Sequence, residues 1–541
     1  MTISPIKLFF SLGLLLAVNS SFAVSNNDQQ TPPAEQPNII FFIADDMRPR
    51  HFNCLDEGKG KNYTPNLDRM AQEGIVLNEQ HVVSPVCTPS RYNCLTGKYA
   101  SRASNAFFKQ VTKANDNQTV VEFNTHITKQ DQSLPKLLKD LGYTTSMSGK
   151  NHVVHAHGLK RPKDFDGSAK DPKNVAILKA NHDHVQQAMR EAGFDHVGNV
   201  YHNNPDFLGL HEVAVQNMDW ITQSSVDFLK QKRDNPFFLY LATTIPHAPD
   251  ADKRSWNANP LITPIGYLDK PLTVQPARAT IPARLKANGY KVNRDTCNML
   301  WLDDSLGALI KTLEEEGELD NTIIFFFNDH GQNSKGTLYQ GGVHNPSIIW
   351  KKGGFKTGKK LDAIVSNVDF APTIVDMAGG KSIDKNFDGI SILPYLNKEK
   401  EADKDRILYH ELGYARAVRL GNWKYLAVRY PQKYENMTDE ERSKALKEWN
   451  AERRRKHINI VTEDPKAPFS HLTALPGGGH AESESTGSYP AYFDKDQLYN
   501  LDLDPKEQKN LASNPEYQEK LKEMQKILQG ITTELPGNFN L

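Results

Sequence analysis

The chain has 541 residues, with 65 Lys and Arg balanced by 65 Asp and Glu, and a hydrophobic fraction of 38%. A net charge of zero excludes the strongly basic character of a nucleic-acid or membrane-surface binder, and the length predicts one large domain with a smaller companion. Four cysteines, Cys54, Cys87, Cys94 and Cys297, are too few for a disulfide framework at this size.

In chain order, Lys7 precedes an apolar run from Leu8 to Val18, and Ser21-Phe22-Ala23 offers small residues where a signal peptidase cuts. Residues 1–23 therefore read as a secretory signal peptide cleaved after Ala23, giving a secreted or periplasmic protein with no membrane insertion. Residues 24–36 are polar and read as a disordered leader. Asn38–Ala44 is a continuous apolar run, as expected for a strand buried on both faces, and it stops at Asp45-Asp46. Ser133–Leu141 and Asp303–Glu315 carry helical patterns. Phe237–Leu241 is a second apolar run leading to His247, and Thr322–Phe327 is a third, leading to Asn328-Asp-His-Gly331.

Buried strands alternating with helices predict an α/β fold, helices sandwiching a large, mixed, mostly parallel sheet, with polar residues gathered at strand ends. That catalytic domain is expected over 37–400. Ala415–Tyr425 reads as a strand opening a smaller C-terminal α+β subdomain, 401–541, on a short antiparallel sheet. Residues 433–457 are charged at helical spacing and read as a solvated helix.

The segment Cys87-Thr-Pro-Ser-Arg91 means little by itself, since an inert buried thiol is the ordinary state of a cysteine. It resembles, however, the signature of the type I, formylglycine-dependent sulfatases of the alkaline phosphatase superfamily. Asp45-Asp46, Thr64-Pro-Asn-Leu-Asp-Arg69, Gly149-Lys-Asn-His152, Pro246-His247, Asp329-His330, Lys335–Gly342, Val365–Pro372 and Leu498–Asp502 resemble that family's motifs in the same order. The resemblance implies an alkaline-phosphatase-like fold and a sulfuric ester hydrolase related to bacterial polysaccharide and glycan sulfatases. It also implies conversion of Cys87 to 3-oxoalanine (formylglycine) by a formylglycine-generating or sulfatase-maturing enzyme. With Cys87 modified, at most one disulfide remains open to the other thiols, Cys54–Cys94 being the pair considered.

Family membership further implies roles. Asp45, Asp46, Asp329 and His330, with the modified Cys87, are the expected ligands of one divalent cation, Ca2+ with Mg2+ as the alternative, because oxygen-rich sites suit hard ions. His330 stands where many relatives have Asn. Arg91 would hold the nucleophile, Lys150 and Lys335 the sulfate oxygens. Asp329 would take the proton of the attacking hydroxyl and His247 would meet the ester oxygen. His152 would deprotonate the second hydroxyl of the aldehyde hydrate, so that the sulfated intermediate collapses. Val343-His344 replaces the Arg usual after the Gly-Gly pair. Arg48, Arg50, His155, His157 and His344 are the candidate substrate-facing residues.

The expected substrate is a sulfated carbohydrate, with algal polysaccharide (ulvan, carrageenan or fucoidan type) ahead of glycosaminoglycan. The alternatives are a phosphonate monoester or phosphodiester hydrolase of the same superfamily and a sugar-binding protein that has lost catalysis.

Overall fold

Seven strands form the main sheet: β1 (Asn38–Asp45), β2 (Ile75–Leu77), β3 (Thr144–Lys150), β4 (His196–Tyr201), β5 (Phe237–Pro246), β6 (Thr322–Asn328) and β7 (Ser347–Lys351). Their order is β2-β7-β6-β1-β5-β3-β4. The run β6-β1-β5-β3-β4 is parallel throughout, and β7 is antiparallel to both of its neighbours. This computed structural model describes residues 36–541 except Leu208, Lys360, Asp362, Lys404, Lys456, His457, Glu484 and the side chain of His480. The expected signal peptide, 1–23, and all of the expected leader but Gln36 lie outside the described residues. Gln36 donates from Nε2 to the carbonyls of Ala378 (2.5 Å) and Leu141 (3.3 Å).

The unbroken apolar run of β1 has a direct cause. Ile39, Phe41 and Ile43 join one core and Ile40, Phe42 and Ala44 join the other, so neither face meets water. The helices α1 (Cys87–Thr96), α2 (Pro172–Glu191), α3 (Met218–Leu229), α4 (Arg294–Glu315) and α5 (Phe370–Met377) are divided between those faces. Tyr92, Met189 and Ile374 bring α1, α2 and α5 against the first core, while Trp220 and Leu306 bring α3 and α4 against the second. Phe41 packs edge-on against Phe327 at 5.1 Å, and Phe327 meets Phe370 of α5 at 5.0 Å.

The register makes the strands end together. Ala44 lies opposite Asn328, and a bulge between Ile43 and Asp45 sets Asp45 opposite Pro246. In β3, Gly149 has φ +91°, and a Cβ there would lie 1.8 Å from the carbonyl oxygen of Ala242 on β5. Only glycine permits this approach, and Lys150 follows it directly.

Two expected elements are longer or differently divided. The helix expected over Asp303–Glu315 is the second part of α4, which starts at Arg294 with Asn293 accepting from Thr296 N at 3.0 Å. Its early residues, Thr296–Leu306, are buried on every side and so show no polar face. The single strand expected over 415–425 is a hairpin turning at Gly421, whose φ is +57°. Strands β8 (Leu408–Leu412), β9 (Ala415–Leu420), β10 (Trp423–Val428) and β11 (Asp496–Asn500) form a small antiparallel sheet in that order. Leu521, Met524 and Leu528 of α6 (Gln518–Thr533) cover one of its faces, and Ala417 and Leu426 on the other merge with the first core.

The charged stretch forms the helix Asp439–Arg455, with only Leu446, Asn450 and Arg453 buried. All four cysteines are free thiols, so the pair considered is not bridged. Cys54 is exposed, whereas Cys94 lies inside α1 and donates to the carbonyl of Arg91 at 3.4 Å. Among the described residues no helix is long and apolar enough to cross a membrane.

Candidate active site

Four adjacent parallel strands deliver polar residues to one edge of the sheet. Asp45 ends β1 and Asp46 follows it; Lys150 ends β3; His247 follows β5; Asp329-His330 follows β6. Opposite them, α1 begins at Cys87, with Arg91 one turn later on the same face. Asp46 (φ +67°) and His152 (φ +50°) adopt left-handed backbone that ordinary residues avoid. Such strain persists where surrounding structure holds a residue in place for a task.

The side chains converge on Cys87. Its Sγ lies 3.5 Å from His330 Nε2, 3.6 Å from Lys335 Nζ and 3.8 Å from Asp45 Oδ1. Arg91 Nη2 donates to Asp45 Oδ1 (3.1 Å) and Asp329 Oδ2 (3.2 Å), while Lys150 Nζ donates to Asp45 Oδ2 (2.7 Å). Lys335 Nζ reaches both oxygens of Asp46, at 2.8 and 3.0 Å. His330 Nε2 stands 3.2 Å and His247 Nε2 3.4 Å from the same carboxylate. Arg91 is fully buried, and its Nε and Nη1 have no hydrogen-bond partner among the described residues.

Electrostatics follows from this packing. Burial works against charge on Asp45, but Lys150, His247 and Arg91 hold it well below the usual carboxylate range. Asp46 is likewise held low against its burial by Lys335, His247 and His330. Burial would discharge His330, yet neighbouring Asp329 and the bond to Asp46 raise it to about 10. His152 is the opposite case, since burial and then the nearby Lys150 and Arg91 cations push it well below its ordinary value and keep it neutral.

One atom from each of Asp46, Cys87, Asp329 and His330 lies within 4.8 Å of the others. Two carboxylates, an imidazole and the position-87 side chain in a largely buried cluster fit a divalent cation. Asp45 lies outside this tightest group; its oxygens accept from Arg91 and Lys150, and Oδ1 stands 3.8 Å from the Cys87 sulfur.

The substrate-facing candidates separate. His155 and His157 line a cleft of about 640 Å³ together with His152, whose ring stacks on Phe123 at 5.8 Å. Arg48 donates to the carbonyl of Gln332, in the loop after β6, at 3.2 Å. Arg50 is exposed in an ion pair with Asp295 at 2.6 Å. His344 is held by the Asn78 carbonyl at 2.5 Å and packs against His81, so neither it nor Arg50 joins the Cys87 network.

Sequence reading missed Asn204. Its Oδ1 accepts from Lys150 Nζ at 2.6 Å and its Nδ2 lies 3.5 Å from His247 Nε2, linking two site residues. The available signal was the polar run His202-Asn-Asn204 after β4, a strand whose mixed sequence conceals it. Asn328 was also missed as a positioning residue. Its amide exchanges hydrogen bonds with the backbone of Met47 at 2.7 and 3.0 Å, pinning the turn that bears Asp46.

Other family-like motifs support rather than line the site. Asn367 donates to Ser90 Oγ (3.0 Å) and accepts from Val83 N (3.1 Å), fixing the first turn of α1. Asp303 accepts from the backbone of Asn66 (3.2 Å) and Leu67 (2.8 Å), satisfying the start of the helix Pro65–Glu73 in the Thr64–Arg69 motif.

Comparison with known proteins agrees with this architecture. The family described as Sulfatase matches residues 37–380, and "N-sulphoglucosamine sulphohydrolase, C-terminal" matches 328–446. The N-acetylgalactosamine-6-sulfatase of Mus musculus is 27% identical over 438 residues, covering 75% of this chain and 74% of its own. The N-acetylglucosamine-6-O-sulfatase of Bacteroides thetaiotaomicron is 25% identical, covering 95% of this chain and 90% of its own. An ulvan-active sulfatase of Formosa agariphila is 24% identical, covering 90% and 77%. A solved structure from a study of glycosaminoglycan metabolism by Bacteroides thetaiotaomicron superposes with a TM-score of 0.58 at 18% identity, covering 92% of this chain and 100% of that one. The fold, the ordered strand ends and the family match over more than half of the chain place it in the sulfatase family, as a sulfuric ester hydrolase with an alkaline-phosphatase-like fold.

Proposed function

We propose that the protein is an exported sulfatase that hydrolyses sulfate monoesters of a sulfated carbohydrate, with Cys87 matured to formylglycine as its nucleophile. The observation that carries this reading is the position of Cys87, with an acid, an imidazole and an ammonium all within 3.8 Å of its sulfur. A monoester sulfate is an anion, so an attacking oxygen needs its surroundings to neutralise charge before it can approach.

Asp46, Asp329, His330 and the position-87 side chain would hold one divalent cation, calcium in our reading with magnesium as the alternative. When bound, it supplies positive charge that stabilises an ionised hydroxyl at position 87 and a sulfate oxygen. Arg91 holds the aldehyde hydrate, one hydroxyl of which gives its proton to Asp329 and attacks the ester sulfur as the bond from sulfur to the alcohol oxygen breaks. Lys150 and Lys335 neutralise the sulfate oxygens. His247, near Asn204, meets the ester oxygen as the alcohol departs. His152, kept neutral by its surroundings, then accepts the proton of the second hydroxyl. Sulfate leaves, the aldehyde re-forms, and addition of one water restores the hydrate, so that one water is consumed per ester cleaved.

The carbohydrate reading is supported by relatives named for 6-sulfated N-acetylhexosamines and for ulvan. Algal polysaccharide, the source expected from sequence, draws on the ulvan-active relative. The hexosamine sulfatases support glycosaminoglycan. Sulfate release by the matured protein from ulvan, carrageenan, chondroitin and heparan oligosaccharides distinguishes these sources. Release from at least one of them, abolished by Cys87→Ala, is expected; no release from any sulfated sugar would overturn the reading.

A further inference from the structure

Beside the Cys87 centre, and sharing His152 with it, lies the cleft of about 640 Å³, a volume within the range of small-molecule and oligosaccharide sites. Its walls carry five histidines, namely His126, His152, His155, His157 and His202, with Arg161, and no carboxylate. Among the described residues Arg161 has no ion pair and no hydrogen bond; its guanidinium rests over the ring of Phe207 at 5.4 Å. Three imidazole nitrogens on these walls, Nδ1 of His126, His152 and His202, are buried without a partner. A buried polar atom left unpaired costs stability unless a ligand or water completes it. Phe123 and Phe207, 40% and 44% exposed, also line the cleft, the first ring stacked on His152 and the second under Arg161.

These features match one ligand chemistry. Aromatic rings suit the apolar faces of sugar rings, and an unpaired guanidinium on a wall without carboxylates suits an anion, which it can grip with two parallel hydrogen bonds. The scissile sulfate has its own cations, Lys150 and Lys335, so Arg161 is left for a second charge. Building on the carbohydrate-sulfatase reading, we infer that this cleft holds the part of the glycan adjoining the scissile ester, and that Arg161 reads a second anionic group there, a carboxylate or another sulfate.

The test compares N-acetylglucosamine 6-sulfate with two doubly anionic probes, a uronate-linked N-acetylglucosamine 6-sulfate disaccharide and glucosamine 2-N,6-O-disulfate. Binding is measured by calorimetry to the Cys87→Ala protein, with and without Arg161→Ala or Arg161→Lys. We expect at least one doubly anionic probe to bind tenfold or more tightly than the singly charged one. Arg161→Ala should erase that preference while changing affinity for the singly charged probe less than threefold, and Arg161→Lys should restore only part of it. Whichever doubly anionic probe wins tells carboxylate from sulfate. An absent preference, no binding of any probe, or a preference that survives Arg161→Ala would overturn the inference. Sulfate release by the matured protein, assayed in parallel, separates the two readings. Release without a second-anion preference removes only the role of Arg161, and preference without release removes only the hydrolase reading.

Discussion

The carboxylate of Asp45 and the ammonium of Lys150 meet at 2.7 Å with both side chains wholly buried. Arg91 shares the same carboxylate, so Asp45 sits between two cations that also face the reacting atoms. A buried ion pair adds little net stability when formed, but removing one partner strands the other at a cost of about 3–5 kcal/mol. Lys150→Ala is therefore expected to lower kcat at least a hundredfold and to destabilise the fold by up to that amount, less whatever Arg91 retains. A double-mutant cycle with Asp45→Ala, read by urea denaturation, should show coupling of more than about 1 kcal/mol. Additive effects would mean that the pair does not act as a unit.

Gly149 sets the direction of Lys150. Its positive φ, and the Ala242 carbonyl oxygen 1.8 Å from where a Cβ would stand, leave no room for a methyl group. Gly149→Ala should destabilise the protein by at least about 2 kcal/mol, since backbone must shift, and should reduce activity beyond the loss of folded protein. Thermal melting together with kcat per folded molecule checks this, and a variant of unchanged activity would remove the positioning role.

His152 is assigned to the second half of the reaction only. His152→Ala should release one equivalent of alcohol per enzyme in a rapid burst, followed by slow turnover, with a sulfated enzyme trapped in the mass spectrum. A uniformly slow first turnover would instead place His152 in the first half.

Cation binding should be visible without catalysis. Adding calcium to chelator-treated protein at a hundredfold excess over its Kd should raise stability by about 2.7 kcal/mol, measured by denaturant unfolding. His330→Ala should weaken the calcium Kd at least tenfold and His330→Asn less so, because Asn keeps an oxygen donor. Equal behaviour of both variants and the parent would exclude His330 from the ligand set.

Asp303 provides a pH signature far from the chemistry. Burial pushes its carboxyl up to about 7, against the hydrogen bonds from Leu67 and Asn66, whereas an unfolded aspartate titrates near 3.8. The folded chain therefore keeps a proton that the unfolded chain releases. Its contribution is complete below about pH 4 and is lost, by up to about 1.4 kcal/mol per pH unit, as pH rises to about 7. Asp303→Asn should flatten this slope and gain relative stability at pH 8 over pH 4. A parallel pH profile in parent and variant would contradict it.

What was legible in the sequence follows from how each segment is buried. Strands β1, β5 and β6 were plain because both of their faces are apolar, and their acidic and histidine ends pointed to the site. Strand β3, Thr-Thr-Ser-Met-Ser-Gly-Lys, is as buried but has no apolar run, so Lys150 was found through its motif alone. Helix α1 was also invisible to periodicity, since all ten of its residues are buried and no polar face marks a turn. Asn204 escaped because its role depends on the meeting of β3, β4 and β5, a long-range relation that no local pattern records. The positions of Arg50 and His344 depend likewise on distant partners, Asp295 and the Asn78 carbonyl.

Maturation of Cys87 into the nucleophile is read in the mass of the tryptic peptide that contains it. Protein co-expressed with a maturation enzyme should show a loss of about 18 Da at residue 87, the change from thiol to aldehyde, together with sulfate release that disappears in Cys87→Ala. An intact thiol at Cys87 in protein that still releases sulfate would exclude formylglycine as the nucleophile.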